Sequence, residues 1–413
     1  MNVRSLPVLV VGGGISGITA ATELAGAGKQ VVLAEKLPYL GGNVIKMNNY
    51  FPKLCPPSCG LELYFRMLKL NQHIEILTSS QVVEISGKKG DFSVTVETDP
   101  EYVNKDCTAC GDCEKVCPVF MPDAFNNLLD ETRCISLPHQ MAFPFRYHLD
   151  DRYCKGEECS LCVSACSYDA INLEAQKRKA VIHASAVIFA TGWMLYDMIA
   201  IENLNGGRYN NIVSNLDMER LLAPDGPGKG KILRPADGAE PNDIIFVQCA
   251  GSRDELNLPY CSAVCCQVSL KQALSFREKN PKGTVKIFYI DLRVSGRNED
   301  FLAKAQADKG IEFIKGKVGL IEEEPETGNL VVTAEDILNG KKNRYKADLV
   351  VLATGIYASQ IESLDLKRKP SGFYSEIQQE GIFITSCARK PMDVASSIRD
   401  ASATALKALI ASR

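Results

Sequence analysis

Two runs of cysteine between residues 107 and 166 constrain this chain more than any other feature, because thiols at such short, regular spacing gather around something other than an apolar core. The first run is Cys107, Cys110, Cys113 and Cys117, with Pro118 behind it; the second is Cys154, Cys159, Cys162 and Cys166. The first has the C-x2-C-x2-C-x3-C-P spacing that wraps iron–sulfur clusters, in which the last cysteine of each run ligates the cluster of the other. That exchange predicts Cys107, Cys110, Cys113 and Cys166 around one [4Fe–4S] cluster, and Cys154, Cys159, Cys162 and Cys117 around another. The second run departs from the pattern: four residues separate Cys154 from Cys159, and Ser167 stands where proline is expected. Zinc is the rival metal for four-sulfur sites, but two four-cysteine runs, the first ending in Cys-Pro, favour iron–sulfur. Cys134, alone in the spacer between the runs, reads as an unligated thiol.

With 16 cysteines among 413 residues, this clustering indicates metal ligation in a reducing compartment rather than a disulfide scaffold. The 46% of apolar residues suffices for the cores of roughly two to three domains. No charged leader precedes Val8 and no apolar run approaches the ~18 residues of a membrane helix. The expectation is a cytoplasmic protein with no direct membrane span, associated with a membrane through partner subunits. A formal net charge of −3 leaves no basic footprint for nucleic acid.

Pro7 to Val11 reads as a short buried strand, followed by Gly12, Gly14 and Gly17 in G-x-G-x-x-G spacing and a helical run from Ile18 to Gly26. This turn suits a dinucleotide: the first glycine permits the bend, the second lets backbone approach a pyrophosphate, and the third lets helix pack on strand. The helix N-terminus adds amide donors. A second strand, Val31 to Ala34, ends in Glu35 and Lys36, and Glu35 stands where a carboxylate reaches an adenosine ribose. Gly41 and Gly42 follow at the spacing of the glutathione reductase class of flavoproteins, which this segment resembles; the resemblance implies FAD rather than NAD. It also implies that Ala190-Thr191-Gly192, after Val187 to Phe189, and Ala353-Thr354-Gly355, after Leu349 to Leu352, mark crossings between the FAD domain and its neighbour. Taken alone, each also reads as an ordinary buried strand and turn.

Val82 to Ile85 and Phe92 to Glu97 alternate as short strands, and the next comparable strand is Ala180 to Ile182. Flavoproteins of that class run these strands as one meander, so residues 101–175 read as a ferredoxin-like domain spliced into a surface hairpin, where insertions are best tolerated. The fold class expected is α/β: a two-dinucleotide-binding-domain, glutathione/thioredoxin reductase-like flavoprotein with an inserted α+β ferredoxin-like domain for two [4Fe–4S] clusters. Its parts are an FAD-binding domain in three pieces (1–100, 176–238 and 347–413), the insert, and a degenerate NAD(P)-type domain over 239–346.

In such flavoproteins the middle domain opens on a second glycine fingerprint. Here the strand Ile244 to Gln248 runs into Cys249-Ala250-Gly251-Ser252-Arg253-Asp254, which has none, so hydride exchange with NAD(P)H is not expected. Cys261, Cys265 and Cys266 follow at the start of a helix from Ala263 to Arg277, where thiolates gain from the positive end. These four read as ligands of a third cluster, or as buried or redox-active thiols. The string Val247 to Asp254, with Tyr260-Cys261-Ser262 and Cys265-Cys266, resembles the A subunit of heterodisulfide reductase and its relatives. The resemblance implies a [4Fe–4S] cluster on Cys249, Cys261, Cys265 and Cys266 beside the FAD, and places Lys271 near the reactive end of the isoalloxazine, where a cation stabilises an anionic reduced ring. The plainer role for Lys271 is a solvated helix lysine. Gly381 to Phe383, Cys387, Asp393 and the helix from Val394 are similar to that family's last FAD segment, with Thr385-Ser386 replacing Ala-Gly. Helix capping is the plainer role for Asp393.

Within the family, Tyr50 to Gly60 resembles both the A subunit of the quinone-interacting membrane-bound oxidoreductase, Qmo, and the sulfur-oxidising heterodisulfide-reductase-like A subunit; Gly228 to Gly238 and the chain's length favour Qmo. Cys55 and Cys59 are then a redox dithiol or cluster ligands near the flavin, or structural thiols pinned by prolines. That branch implies an FAD and iron–sulfur electron-transfer subunit passing electrons between menaquinol and adenylylsulfate reductase. Its partners would be a flavin/iron–sulfur subunit of the QmoB-like kind together with a haem-bearing, QmoC-like membrane subunit. The alternatives are a heterodisulfide reductase-like subunit working with sulfur-carrier or disulfide substrates, with or without electron bifurcation, and a scaffold flavoprotein with structural clusters.

Overall fold

Two largely parallel sheets organise the computed structural model, which describes residues 6–51 and 54–412. The first arises because Val8–Val11, Val31–Ala34 and Ala186–Phe189 are apolar throughout and buried on both faces, as parallel strands are. Its order is Ile377–Gln379, Ile382–Ile384, Ala186–Phe189, Val8–Val11, Val31–Ala34, Ile74–Leu77, parallel except for the first pair. Helix Ile15–Gly26 packs on one face between helices Pro57–Leu70 and Val394–Ala411. It starts three residues before the sequence reading placed it, because Ile18 N already donates to Gly14 O at 3.0 Å. The antiparallel strands Ser80–Lys88, Asp91–Thr98 and Arg178–Ala184 cover the other face, burying Phe92, Val94 and Val96 against Leu9 and Phe189.

The second sheet runs Ile212–Ser214, Leu349–Thr354, Asp243–Ala250, Thr284–Tyr289, Ile311–Glu323, Leu330–Asp336, Lys341–Ala347, with its first five strands parallel. This corrects the expected boundaries. Ile212–Ser214 and Leu349–Thr354 had been assigned to the FAD-binding domain (176–238 and 347–413), yet both are strands of the second sheet. A strand buried on both faces carries no mark of which sheet it joins. The chain crosses between sheets at Trp193–Leu195 and Ile356–Ala358, each just past an Ala-Thr-Gly turn, and these two segments pair antiparallel.

Asp91–Thr98 and Arg178–Ala184 remain hydrogen-bonded neighbours although the whole cysteine-rich excursion lies between them. That excursion holds two one-turn helices, Asp112–Val116 and Leu161–Ala165, and two small hairpins. Its spacer folds back onto the rest of the protein. Arg220, 1% exposed on helix Asn215–Leu222, donates from Nε to Asn126 Oδ1 at 2.8 Å and stacks its guanidinium 4.5 Å from the Phe125 ring. Phe125 in turn stacks on His139, centroids 4.8 Å apart. Among the described residues no helix is long and apolar enough to cross a membrane.

Candidate functional site

Where the strands of the first sheet end, a cleft of about 940 Å³ opens toward the second sheet. Gly12, Gly14, Glu35, Lys36, Gly41, Gly42, Thr191, Gly192, Thr354, Cys387, Asp393 and Lys271 all line it. Gly17 and Gly355 do not, and their lack of a side chain serves packing instead. A Cβ on Gly17 would lie 1.7 Å from Gly12 O, so the helix could not sit on its strand; one on Gly355 would lie 2.3 Å from Ser252 Oγ in the loop between Cys249 and Cys261. Cys55 and Cys59 are also outside the lining, and Cys59 is exposed. Tyr50, which lines the cleft, is bridged to Cys55. Burial first, then the two thiols, pushes the Tyr50 phenol up.

The lining suits a polar, dinucleotide-shaped molecule. The hydroxyls of Thr191 and Thr354 are buried without a hydrogen-bond partner, a costly state that a bound ligand relieves. Glu35 accepts from Gly13 N at 2.5 Å and from Leu37 N at 2.8 Å; burial pushes its carboxyl up while these amides pull it down. Asp393 caps helix Val394–Ala411, its Oδ1 accepting from Ser396 N at 2.6 Å, so the capping role and a place in the cleft coincide. The Cys387 thiol donates to Met392 O at 3.3 Å, and burial pushes it up.

Lys271 is not solvated. It is 2% exposed, and its Nζ lies 2.6 Å from Glu219 Oε1 and 2.5 Å from Asn49 O. Gln272 Nε2 also donates to Glu219 Oε1, at 2.6 Å, and Asn48 N to Oε2 at 3.0 Å. Glu219 lines the cleft and was missed by sequence reasoning, since Asp217, Glu219 and Arg220 together look like a solvated helix face. All three instead make specific contacts: Asp217 completes a capping box with Ser214, and Glu219 and Arg220 are buried.

The insert contains two small hollows. Cys107, Cys110, Cys113 and Cys166 line one; Cys117, Cys154, Cys159 and Cys162 line the other, so each run sends its last cysteine to the other run's hollow. Cys134, read from sequence as a lone thiol, lines the second hollow too. Backbone amides reach the sulfurs, with Ala109 N 3.4 Å from Cys107 Sγ, Gly156 N 3.3 Å from Cys154 Sγ and Ala170 N 3.5 Å from Cys166 Sγ. Burial, then the neighbouring Cys107 and Cys110, pushes the Cys113 thiol up to about 12. Such mutual destabilisation of thiolates is what a positively charged metal core removes.

The third set gathers where strand Asp243–Ala250 ends and helix Cys265–Lys279 begins. Burial, then the neighbouring Cys266, Cys249 and Cys261, pushes the Cys265 thiol up. Ala263 N lies 3.3 Å from Cys261 Sγ, and Cys265 lines the large cleft, so this set abuts the dinucleotide site. Thiolates on a single zinc ion sit about 2.3 Å from it. In the insert the cysteines surround two hollows rather than a point.

A family model described as FAD dependent oxidoreductase matches residues 7–111. The chain is 35% identical to the first iron-sulfur A subunit of the CoB–CoM heterodisulfide reductase of Methanopyrus kandleri, over 98% of this chain and 63% of that protein. It is 33% identical to the A subunit of the H(2):CoB-CoM heterodisulfide,ferredoxin reductase of Methanothermobacter marburgensis, over 97% of this chain and 63% of that one. The chain thus spans a little under two thirds of the length of these relatives. Among solved structures, T. acidophilum thioredoxin reductase superposes with a TM-score of 0.56 at 14% identity, covering 98% of each chain. That likeness concerns the fold: a two-domain FAD oxidoreductase architecture, here with the cysteine-rich insert.

Proposed function

This chain is similar to heterodisulfide reductase A subunits over nearly its whole length, and from that premise we propose that it is the FAD- and iron–sulfur-containing electron-transfer subunit of a heterodisulfide reductase-type complex, working with disulfide or sulfur-carrier substrates held by partner subunits. The observation that carries the reading is Cys265, which stands beside Cys266 at the start of helix Cys265–Lys279 and forms part of the wall of the dinucleotide cleft. When bound, FAD supplies the change from paired to single electrons and the clusters carry the single electrons. The chain's own residues arrange the rest. Amides at the start of helix Ile15–Gly26 offer a pyrophosphate the positive end of the helix, and Glu35 takes the ribose. Lys271, which lines the cleft in a buried ion pair with Glu219, would hold an ammonium donor toward a reduced ring bound there. Three [4Fe–4S] clusters are assigned: to Cys107, Cys110, Cys113 and Cys166; to Cys117, Cys154, Cys159 and Cys162; and to Cys249, Cys261, Cys265 and Cys266.

The relatives above are heterodisulfide reductase subunits, which favours this reading over the Qmo-type exchange between menaquinol and adenylylsulfate reductase expected from Tyr50 to Gly60. Ferredoxin, part of the name of the M. marburgensis relative, is a candidate second partner. The test is the complex purified anaerobically with its native partners and reduced with dithionite. Flavin re-oxidation by a heterodisulfide supports the proposal. Re-oxidation by a menaquinone analogue or through adenylylsulfate reductase, with no response to disulfide, overturns it in favour of the Qmo reading.

A further inference from the structure

The second hollow of the insert has one thiol too many. Cys134 lines it beside Cys117, Cys154, Cys159 and Cys162, whereas the first hollow has four cysteines. Cys134 is 1% exposed and is tied by its backbone to both runs. Its N–H donates to Val119 O at 3.0 Å, just past Cys117, and its carbonyl accepts from Asp150 N at 2.9 Å, just before Cys154. Its thiol has a partner in Asp150 O at 3.1 Å. Cys154 is the irregular member of its run. The regular spacing, counted back from Cys159, falls on Gly156, and Cys154 lies beyond it with its Sγ accepting from Gly156 N at 3.3 Å. Cys117, Cys159 and Cys162 keep the regular positions, which leaves two thiols of the lining, Cys134 and Cys154, for the one remaining ligand position of a four-iron core.

We propose that Cys134 is a second ligand for that fourth corner, interchangeable with Cys154, so that either thiol alone retains the cluster. The inference rests on the reading of this hollow as a [4Fe–4S] site. Exchange breaks the iron bond to Cys154 and forms one to Cys134, and the proton on the Cys134 thiol passes to the departing Cys154 thiolate; no electron is gained or lost. A hollow with a spare ligand keeps its cluster through the loss of either thiol, which a four-cysteine hollow does not.

The test uses the full chain purified anaerobically, with iron, acid-labile sulfide and FAD counted per chain and the dithionite-reduced EPR spectrum recorded. The variants are Cys134→Ala, Cys154→Ala, the two combined, and Cys117→Ala. Each of the first two keeps the wild-type iron content, Cys154→Ala with an altered EPR line shape, and the combination loses about four irons while keeping FAD. Loss of about four irons in either single variant, or no loss in the combination, overturns the proposal. Cys117→Ala that loses no iron overturns the assignment of the hollow itself, a separate failure. Cys134→Val with Cys154→Ala gives the same reading where the double alanine variant does not retain FAD.

Discussion

Replacing Lys271 with methionine keeps the bulk of the side chain and deletes its charge, which strands Glu219 inside the protein with only the neutral donors Gln272 Nε2 and Asn48 N. The side chains of both members are buried, so water offers no compensation. Breaking a buried pair by removing one partner costs about 3–5 kcal/mol. The two remaining hydrogen bonds hold the carboxylate in place but do not neutralise it, so the lower end, about 3 kcal/mol, is expected. With a urea slope of about 3 kcal/mol/M for a chain of this size, the midpoint falls by about 1 M. A solvated lysine would shift it by under ~0.2 M, its loss being worth less than about 0.5 kcal/mol. The assay is urea titration of flavin release and far-UV circular dichroism for the wild type, Lys271→Met, Glu219→Gln and the double variant. Comparing all four cancels shared departures from two-state unfolding, and the double variant recovers more than half of the loss because no charge is left stranded. A midpoint shift below ~0.2 M for Lys271→Met, or a double variant as unstable as the sum of the singles, refutes the buried pair.

Gly17→Ala places a methyl 1.7 Å from Gly12 O, so FAD content measured by absorbance of released flavin falls to under about a tenth of wild type while the iron of the insert stays; full flavin occupancy contradicts the packing role. Cys265→Ala removes about four irons and spares the insert clusters, read by iron analysis and EPR; unchanged iron rejects the third set. His139 is buried against Phe125, and burial lowers its pKa from 6.5 to about 4. Between those values the unfolded chain takes up a proton that the native state resists, so stability falls as pH falls, by about 2 kcal/mol from pH 7 to pH 5. His139→Gln removes that part of the acid sensitivity; equal losses in variant and wild type would show that His139 carries no such charge penalty.

Much of this was legible because some chemistry leaves regular marks in sequence. The glycine fingerprint with Glu35, the paired cysteine runs and the Cys249 set all depend on spacing along one short segment; Gly12, Gly14 and Glu35 meet in the cleft, and the two runs meet in the hollows. What was not legible depends on contacts between distant segments. Glu219 and Arg220 belong to one short helix of mixed charge, and only the approach of Lys271 and of the insert spacer shows that both are buried. Leu349 to Leu352 reads as a buried strand, but an apolar run does not say which of two parallel sheets it completes, and the three residues Ile212–Ser214 are too short to stand out as a strand in sequence. Cys134 was set aside because no spacing rule connects it to a run; its backbone bonds to Val119 and Asp150 deliver it to the second hollow.

The account turns on metal-bound sulfur standing next to a flavin within one chain. Anaerobic preparation of the full chain, with flavin, iron, zinc and acid-labile sulfide counted together and EPR recorded before and after dithionite, tests it most directly. One FAD with about twelve irons and twelve sulfides per chain, and clusters that become paramagnetic on reduction, is the predicted outcome. A colourless protein that holds zinc and no labile sulfide contradicts it.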